Sequence, residues 1–157
     1  MKYLLSALFV FTLFTSCISN DKEQDQPVAK DYTVENEKEI TDYIAQNKLN
    51  AIKSSTGLYY IIKEEGTGKR PTASSSVTVA YTGAFTSGKT FDQSSSAGLT
   101  FPLNEVIKGW TEGIQLFKEG GSGSLLIPSH LGYGSYGRPG IPAGSVLIFD
   151  VKLIKVN

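Results

Sequence analysis

The start of the chain consists of an apolar stretch followed by a polar one. Leu4–Phe14 is an almost unbroken apolar run behind the early charge of Lys2, and Ser19–Lys30 is polar without an apolar period. The apolar run is shorter than a comfortable membrane span, so it predicts an export signal over residues 1–16. The polar stretch predicts a flexible tether over residues 17–34.

A helical pattern follows the tether. Ile40, Tyr43 and Ile44 fall at helical spacing, and acidic residues occupy the first turns. This spacing predicts a helix over Glu35–Lys53, within a helical extension of residues 35–56. Because its apolar stripe is narrow, two interpretations stay open. The helix is either an appendage packed on the following domain or a helix that pairs with a second copy of the chain.

The apolar period changes to two after Gly57, which is typical of β-strands. A helical stretch at Ile107–Phe117 interrupts the strands, and Ser87-Gly88 predicts a hairpin turn. In the last strand, four apolar residues share one face: Leu147, Phe149, Val151 and Leu153. The predicted strands are Leu58–Lys63, Val77–Thr82, Leu99–Leu103, Ser124–Pro128 and Val146–Val156. This order predicts an α+β domain over residues 57–157, made of antiparallel sheet with one short helix.

Composition and charge exclude several classes of function. Lys+Arg and Asp+Glu are equal at 15 each, so a nucleic-acid partner is not expected. The chain has one cysteine and one histidine, which excludes an internal disulfide and a Cys/His metal site. Gly132–Gly137 matches G-x-G-x-x-G, but prolines follow at once and no βαβ unit surrounds it. We therefore expect neither a metal nor a cofactor.

The single cysteine, Cys17, follows the export signal directly. The segment Leu13–Cys17 has small residues just before the cysteine and resembles the lipobox of bacterial lipoproteins, although Phe14 departs from the usual leucine. The resemblance implies lipidation of Cys17, and hence an exported protein anchored to a membrane. Ile18 after the cysteine favours the outer membrane or its periplasmic face. The alternative is an ordinary secretory signal cleaved near Ser16.

Several aromatic residues flank turns in the predicted sheet, and Asp92 directly follows one of them. They are Tyr81, Phe91, Trp110, Tyr133 and Phe149. Aromatic residues in a domain of this size usually belong to the core. Placed together beside short loops, they would also line a concave apolar pocket with a few polar tips. The residues alone leave both interpretations open.

Local strings in this part of the chain resemble the FKBP family of peptidyl-prolyl isomerases. They keep the order and spacing of the family between Gly57 and Asn157 and are Val79–Gly83, Gly88–Ser94, Glu105–Gly113, Leu131–Gly134, Arg138–Pro142 and Leu147–Val151. The resemblance implies a strongly bent antiparallel sheet wrapped around one short α-helix, with a substrate pocket between them. It also implies isomerisation of X-Pro peptide bonds, with proline-containing polypeptides as substrates and macrolides as inhibitors.

The resemblance assigns site residues position by position. Trp110 would be the floor beneath the proline ring, and the N–H of Ile107 and the hydroxyl of Tyr133 would bind substrate carbonyls. Asp92 would face the carbonyl of the isomerising bond or hold nearby hydroxyls. The implied catalytic residues are Tyr81, Phe91, Asp92, Tyr133 and Phe149. The implied substrate-binding residues are Leu99, Val106, Ile107, Trp110 and Ile141.

Two departures from the family pattern keep a second hypothesis open. Leu99 stands where an aromatic wall is usual, and Arg138 stands where a histidine is often found. The first hypothesis is an isomerase that assists the folding of exported proteins. The second is a peptide-binding or holdase chaperone module that uses the same pocket without useful catalysis. Isomerisation breaks no covalent bond, so the absence of a catalytic triad agrees with the first.

Overall fold

The computed structural model describes residues 29–157. The predicted export signal, Cys17 and most of the predicted tether lie outside the described residues. Two α-helices, two short 3-10 turns and seven strands make up the described part. The helices are α1 (Thr33–Gln46) and α2 (Lys108–Ile114), and the 3-10 turns are Leu103–Glu105 and Ser129–Leu131. The strands are β1 (Ile52–Lys53), β2 (Tyr59–Glu64), β3 (Ser76–Ala84), β4 (Thr90–Gln93), β5 (Leu99–Pro102), β6 (Ser122–Ile127) and β7 (Leu147–Val156).

All seven strands belong to one antiparallel sheet. Six of them follow the order β1-β2-β6-β7-β3-β4, and β5 lies off this path and pairs with β3. The strand β3 pairs with β7 along one edge. Along its other edge it pairs with β5 at Ser76–Val79 and with β4 at Thr82–Ala84. The sheet is therefore open, and the prediction of an α+β fold built on antiparallel sheet is confirmed.

The two faces of the sheet carry two separate apolar clusters. On the face that α2 covers, β6 contributes Leu125 and Ile127 to the main core, and Trp110 and Ile114 of α2 pack against them. Leu126, between them in sequence, belongs to the second cluster on the opposite face. The four residues that share a face of β7 all belong to the main core, as their alternation predicts. Burial on both faces explains why β6 is apolar at consecutive positions.

The short helix α2 lies very close to the sheet. A Cβ atom built on Gly109 would be 2.6 Å from Cγ2 of Ile127, and one on Gly113 would be 2.6 Å from a Cδ atom of Leu125. Only glycine permits this approach at both positions, one helical turn apart. The helix ends at Ile114, three residues before the predicted end at Phe117.

The N-terminal helix α1 packs on the opposite face of the sheet. Ile40 is 1% exposed there and belongs to the second cluster. The prediction that helical structure continues to Lys53 is wrong, because α1 ends at Gln46. Lys48 adopts a left-handed conformation (φ 53°), which stops the helix. The following residues form β1, which pairs with β2. The apolar stripe of α1 therefore packs on its own chain, as the appendage interpretation expects.

Among residues 29–157, neither helix has the length and apolar character needed to cross a bilayer.

Candidate active site

An open cavity of about 310 Å³ lies between α2 and the strands β3, β5 and β7. Its walls are mainly aromatic and aliphatic, with a few polar groups at the rim. The lining residues are Tyr81, Asp92, Leu99, Phe101, Glu105, Val106, Ile107, Trp110, Tyr133, Arg138 and Phe149. The structure thus brings eight of the ten predicted site residues to one cavity, although they come from six separate parts of the chain.

Trp110 is the centre of the aromatic cluster at the base of the cavity. Its ring is 5% exposed and meets the rings of Tyr81, Phe149 and Phe101 at centroid distances of 5.0, 5.2 and 5.2 Å. The Tyr81 and Phe149 contacts are edge-to-face, an arrangement that aromatic pairs favour. The indole N–H of Trp110 is buried and finds no acceptor among residues 29–157.

Tyr81 and Asp92 form the main polar contact of the cavity. The hydroxyl of Tyr81 donates a hydrogen bond of 2.9 Å to a carboxylate oxygen of Asp92. Burial of the phenol, together with this bond and the charge of Asp92, raises the pKa of Tyr81 to about 12. The Tyr81 hydroxyl therefore stays protonated near neutral pH, and the Asp92 carboxylate holds it in one orientation.

A β-bulge explains why two sequence neighbours both reach this region. The pairing of β3 with β4 matches Gly83 with Asp92 and Ala84 with Thr90, which leaves Phe91 as an extra residue. Phe91 and Asp92 consequently both project toward the concave side, although an ideal strand would send them to opposite faces. Phe91 meets Phe149 edge-to-face at 5.5 Å.

The start of α2 supplies a backbone donor at the cavity. Ile107 precedes the helix with extended backbone geometry, and its carbonyl accepts hydrogen bonds from the N–H groups of Trp110 and Thr111. Its own N–H donates to no acceptor within the part of the chain that the structure describes. A lining residue with an unused amide N–H suits the binding of a carbonyl oxygen.

The loop between the Ser129–Leu131 turn and β7 carries Tyr133 and Arg138 to the rim. The guanidinium carbon of Arg138 lies 4.4 Å from the centre of the Tyr133 ring. This cation–π contact restrains the ring and keeps a positive charge over its face. Arg138 also forms a two-residue backbone bridge with Ile141.

Two predicted site residues lie beside the cavity and do not line it. Phe91 packs behind the wall, between Phe149 and Phe85. Ile141 is 4% exposed and belongs to the main core beneath the loop. Leu99 does line the cavity, at its rim, where it is half exposed. The role that the family resemblance assigns to each residue stays a prediction.

Sequence reasoning missed Phe101 as a wall residue. Leu99 and Phe101 lie two positions apart on β5, opposite Val79 and Val77, so they share a face. The alternation of side chains along β5 predicts this shared face. Phe101 therefore packs its ring against Trp110, although the other residue on that face, Leu99, is not aromatic. Glu105 at the rim comes from a three-residue 3-10 turn and Arg138 from a loop, and both segments are too irregular or too short for a periodicity to mark the direction of the side chain.

A second concavity of about 370 Å³ lies near Tyr81 and has a different character. Lys63, Asp150 and the serines of Ser94–Ser96 contribute to its lining. Asp150 accepts hydrogen bonds from Lys63 (2.8 Å) and Ser124. These polar groups of the second concavity therefore already have hydrogen-bond partners within the protein. Burial tends to raise the pKa of Asp150, but these two donors outweigh it and lower the pKa. The aromatic cavity is the better candidate for binding an apolar ligand.

The residues of the aromatic cavity suit binding and orientation of a small apolar ring. The protein is therefore an open antiparallel sheet with a short helix packed on one face. The aromatic cavity lies between this helix and the sheet. Residues 68–154, more than half of the chain, match the model of the FKBP-type peptidyl-prolyl cis-trans isomerase family. The chain belongs to this family.

Curated relatives of the chain carry the same family name. The chain is 46% identical over 128 residues to the FKBP-type peptidyl-prolyl cis-trans isomerase FkpA of Aeromonas hydrophila. The aligned residues cover 79% of this chain and 48% of the relative. The chain is also 46% identical over 122 residues to FkpA of Escherichia coli strain K12. That alignment covers 76% of this chain and 45% of the relative. The chain thus spans about half the length of these relatives.

Solved structures show the same fold. The crystal structure of FkpA from Escherichia coli matches with a TM-score of 0.67 and 41% identity, covering 80% of this chain and 64% of that one. A peptidyl-prolyl cis-trans isomerase from Pseudomonas syringae matches with a TM-score of 0.69 and 33% identity, covering 80% of this chain and 96% of that one.

Proposed function

We propose that this protein is a peptidyl-prolyl cis-trans isomerase that assists the folding of exported polypeptides. The observation that carries the proposal is the aromatic cavity, whose floor is Trp110 and whose side carries the Tyr81–Asp92 hydrogen bond. Membership of the family supports the same activity. Residues 57–157 would form the isomerase domain, with α1 attached to its outer face.

The chemistry requires only that the site favour a twisted X-Pro amide over both planar forms. Resonance in the planar amide creates a barrier of roughly 18–20 kcal/mol, and twisting removes the resonance and reduces the charge separation of the carbonyl. A cavity with aromatic walls excludes water, which costs the more polar planar amide more than the twisted one. Neither a nucleophile nor a proton transfer is needed in this scheme.

The cavity residues would divide the work between grip and orientation. The proline ring would lie on Trp110, with Tyr81 and Phe149 as walls. The N–H of Ile107 and the hydroxyl of Tyr133 would hold carbonyls on either side of the ring. Asp92 would fix the Tyr81 hydroxyl, and that hydroxyl would lie near the carbonyl of the rotating bond. Holding both flanks of the proline confines the motion to rotation about one bond.

A proline-peptide assay on the full chain tests the activity. The isomerisation rate of an X-Pro peptide should rise in proportion to protein concentration, and Trp110→Leu should abolish most of that rise. Trp110 is the only tryptophan in the chain, so its fluorescence reports occupancy of the cavity directly. A fluorescence change on peptide binding with a rate equal to background would refute the isomerase and support the non-catalytic binding module.

We also propose that Cys17 is lipidated and that the chain is exported and anchored to a membrane, with the outer membrane favoured. The lipobox-like segment before Cys17 and the polar stretch after it support this. The full chain expressed in a bacterium should partition into detergent and incorporate labelled palmitate, whereas Cys17→Ser should do neither. If the wild-type chain does not incorporate palmitate, the lipidation proposal is wrong and an ordinary secretory signal is the remaining interpretation.

Macrolide inhibitors are a further proposed ligand of the aromatic cavity. Its rim is open because Leu99 is half exposed where a larger aromatic wall would stand. We therefore expect macrolides to bind and to compete with proline peptides, but weakly. Titration of Trp110 fluorescence with a macrolide would measure the affinity, and Leu99→Phe would serve as the comparison.

A further inference from the structure

Asn36, in the first turn of α1, is the most buried polar side chain of the described residues, at 1% exposure. Its amide nitrogen donates a hydrogen bond of 2.8 Å to the carbonyl of Gly144. Its amide oxygen accepts one of 2.7 Å from the N–H of Ser129. Both partners are more than ninety residues away in sequence, at the two ends of the loop that carries Tyr133.

These two bonds complete a closed ring of four hydrogen bonds. The N–H of Gly144 donates to the carbonyl of Gly134 at 3.0 Å, and the N–H of Gly134 donates to the carbonyl of Ser129 at 2.8 Å. The ring thus runs from Asn36 through Gly144, Gly134 and Ser129 and returns to Asn36. Gly134 is the residue directly after Tyr133, so the ring fixes the backbone beside that side chain.

Only an amide side chain of this length satisfies both ends of the ring. The carbonyl of Gly144 needs a donor, and the N–H of Ser129 needs an acceptor. Leucine has the same branched shape as asparagine, with a somewhat larger volume, but leaves both buried groups without partners. Aspartate accepts from Ser129 but turns a carboxylate oxygen toward the carbonyl of Gly144, where two acceptors repel.

Residues just before Asn36 hold the same loop at further points. The Tyr32 ring lies so close to Gly144 that a Cβ atom there would be 2.3 Å from Cδ1 of the ring. The hydroxyl of Ser135 donates to the carbonyl of Lys30. Residues 30–36 therefore contact the loop on both sides of the ring of hydrogen bonds, well outside the matched residues 68–154.

We propose that Asn36 is a positioning residue for the active site, acting through the loop that presents Tyr133. The inference rests on the proposed isomerase function and deepens it. The two hydrogen bonds of the Asn36 side chain go to Gly144 and Ser129, which do not line the cavity. Asn36 sets the path of the backbone at Gly134, and so the place of the Tyr133 hydroxyl relative to a substrate carbonyl. The N-terminal helix is in this view a structural part of the binding site.

The experiment compares Asn36→Leu and Asn36→Asp with a matched control, Tyr59→Phe. Tyr59 donates a hydrogen bond of 2.7 Å to Glu37, the residue after Asn36, so the control weakens the attachment of α1 and leaves the ring intact. Three readouts are measured on the full chain. They are amide hydrogen exchange at Gly134 and Gly144, kcat and KM on an X-Pro peptide, and both constants in a Tyr133→Phe background.

Asn36→Leu should speed exchange at Gly134 and Gly144, two amides that do not bond to Asn36 directly. It should raise KM about five- to tenfold with little change in kcat, because a displaced Tyr133 weakens binding of the ground and transition states alike. In the Tyr133→Phe background the same change should cost less than about twofold, since the hydroxyl it positions is already gone. Tyr59→Phe should leave exchange and KM within about twofold of wild type.

Additive effects of Asn36→Leu and Tyr133→Phe would overturn the proposal, as would unchanged exchange at Gly134 and Gly144. An equal rise in KM for Tyr59→Phe would also overturn it. If Asn36→Leu does not fold, Asn36→Asp carries the same test, because it keeps the bond to Ser129. If the wild-type chain lacks isomerase activity, the proposed function fails by itself. In that case, amide hydrogen exchange at Gly134 and Gly144 and the peptide affinity measured by Trp110 fluorescence still decide the role of Asn36.

Discussion

The hydroxyl of Tyr81 and the carboxylate of Asp92 lie 2.9 Å apart across the β3–β4 pair, as diagonal neighbours around Gly83. We expect Asp92→Ala to lower kcat/KM about tenfold, equivalent to roughly 1.4 kcal/mol, because the phenol loses the group that orients it. Asp92→Asn should lose less, since its amide oxygen still accepts the bond. The peptide assay measures both variants.

The control for this prediction is Tyr81→Phe, alone and combined with each Asp92 variant. If Asp92 acts by holding Tyr81, the double variant Tyr81→Phe/Asp92→Ala should be no slower than the slower single variant. Multiplied losses would show that Asp92 contacts the substrate independently. Melting temperatures should stay close to wild type throughout, because both side chains are only half buried.

The raised pKa of Tyr81 predicts the behaviour of the protein at high pH. Its pKa lies at about 12, above the ordinary value of 10, so the folded state favours the neutral phenol. This contribution to stability is complete below pH 10 and is lost as the pH rises through about 12. The chain has eight tyrosines, so the titration of Tyr81 is obtained as the difference in phenolate absorbance between wild type and Tyr81→Phe. A difference titration centred at or below pH 10 would contradict the geometry.

Gly83 makes room for the aromatic wall behind the cavity. A Cβ atom at this position would be 2.7 Å from Cε1 of Phe149 and 2.8 Å from Cζ of Phe91. Gly83→Ala should therefore displace one of the two rings and lower the free energy of unfolding by about 1–3 kcal/mol. Urea unfolding checks the stability, and the aromatic proton shifts of Phe91 and Phe149 check the displacement. Gly88→Ala is a poor control because φ is positive there, so Ala84→Gly on the same strand is preferable.

Leu99→Phe is expected to improve binding. Leu99 is half exposed at the rim of the cavity and shares a face with Phe101, which already contacts Trp110. A phenyl ring at position 99 would cover more of a bound ligand and should tighten binding of an X-Pro peptide about three- to tenfold, by burial of apolar area. Thr100→Phe, on the opposite face of β5, is the matched control and should not change the affinity. Equal affinities for Leu99→Phe and wild type would show that the ligand does not reach the rim.

Part of the site was predictable because alternate residues of a strand face the same side of the folded sheet. The alternation in β7 correctly places Phe149 on the core face, and the family strings include Trp110 and Tyr81. Phe91 and Asp92 show where alternation fails. Their common direction depends on one extra residue in β4, and a bulge of this kind is defined by the pairing of two strands and not by either alone.

The helical extension shows a second limit. Ile40, Tyr43 and Ile44 gave the correct stripe, yet the helix stops at Gln46 because Lys48 is left-handed, without the glycine that usually marks such an end. Residues 52–53 were then free to pair with β2. Local propensity for helix was outweighed by backbone hydrogen bonds to a strand that lies elsewhere in the sequence.

The sequence by itself determined the fold class, the family and most of the aromatic residues of the cavity, because those depend on residue type, order and period. Only the tertiary structure decided that Tyr81 pairs with Asp92, that Phe101 completes the wall, and that Asn36 closes a ring of hydrogen bonds around the Tyr133 loop. The spacing of Tyr81 and Asp92, and of Asn36 and the Tyr133 loop, carries no signal along the chain, whereas strand alternation indicates only which face of β5 Phe101 lies on. The positions of these groups follow from sheet register and from the need of buried polar groups for partners.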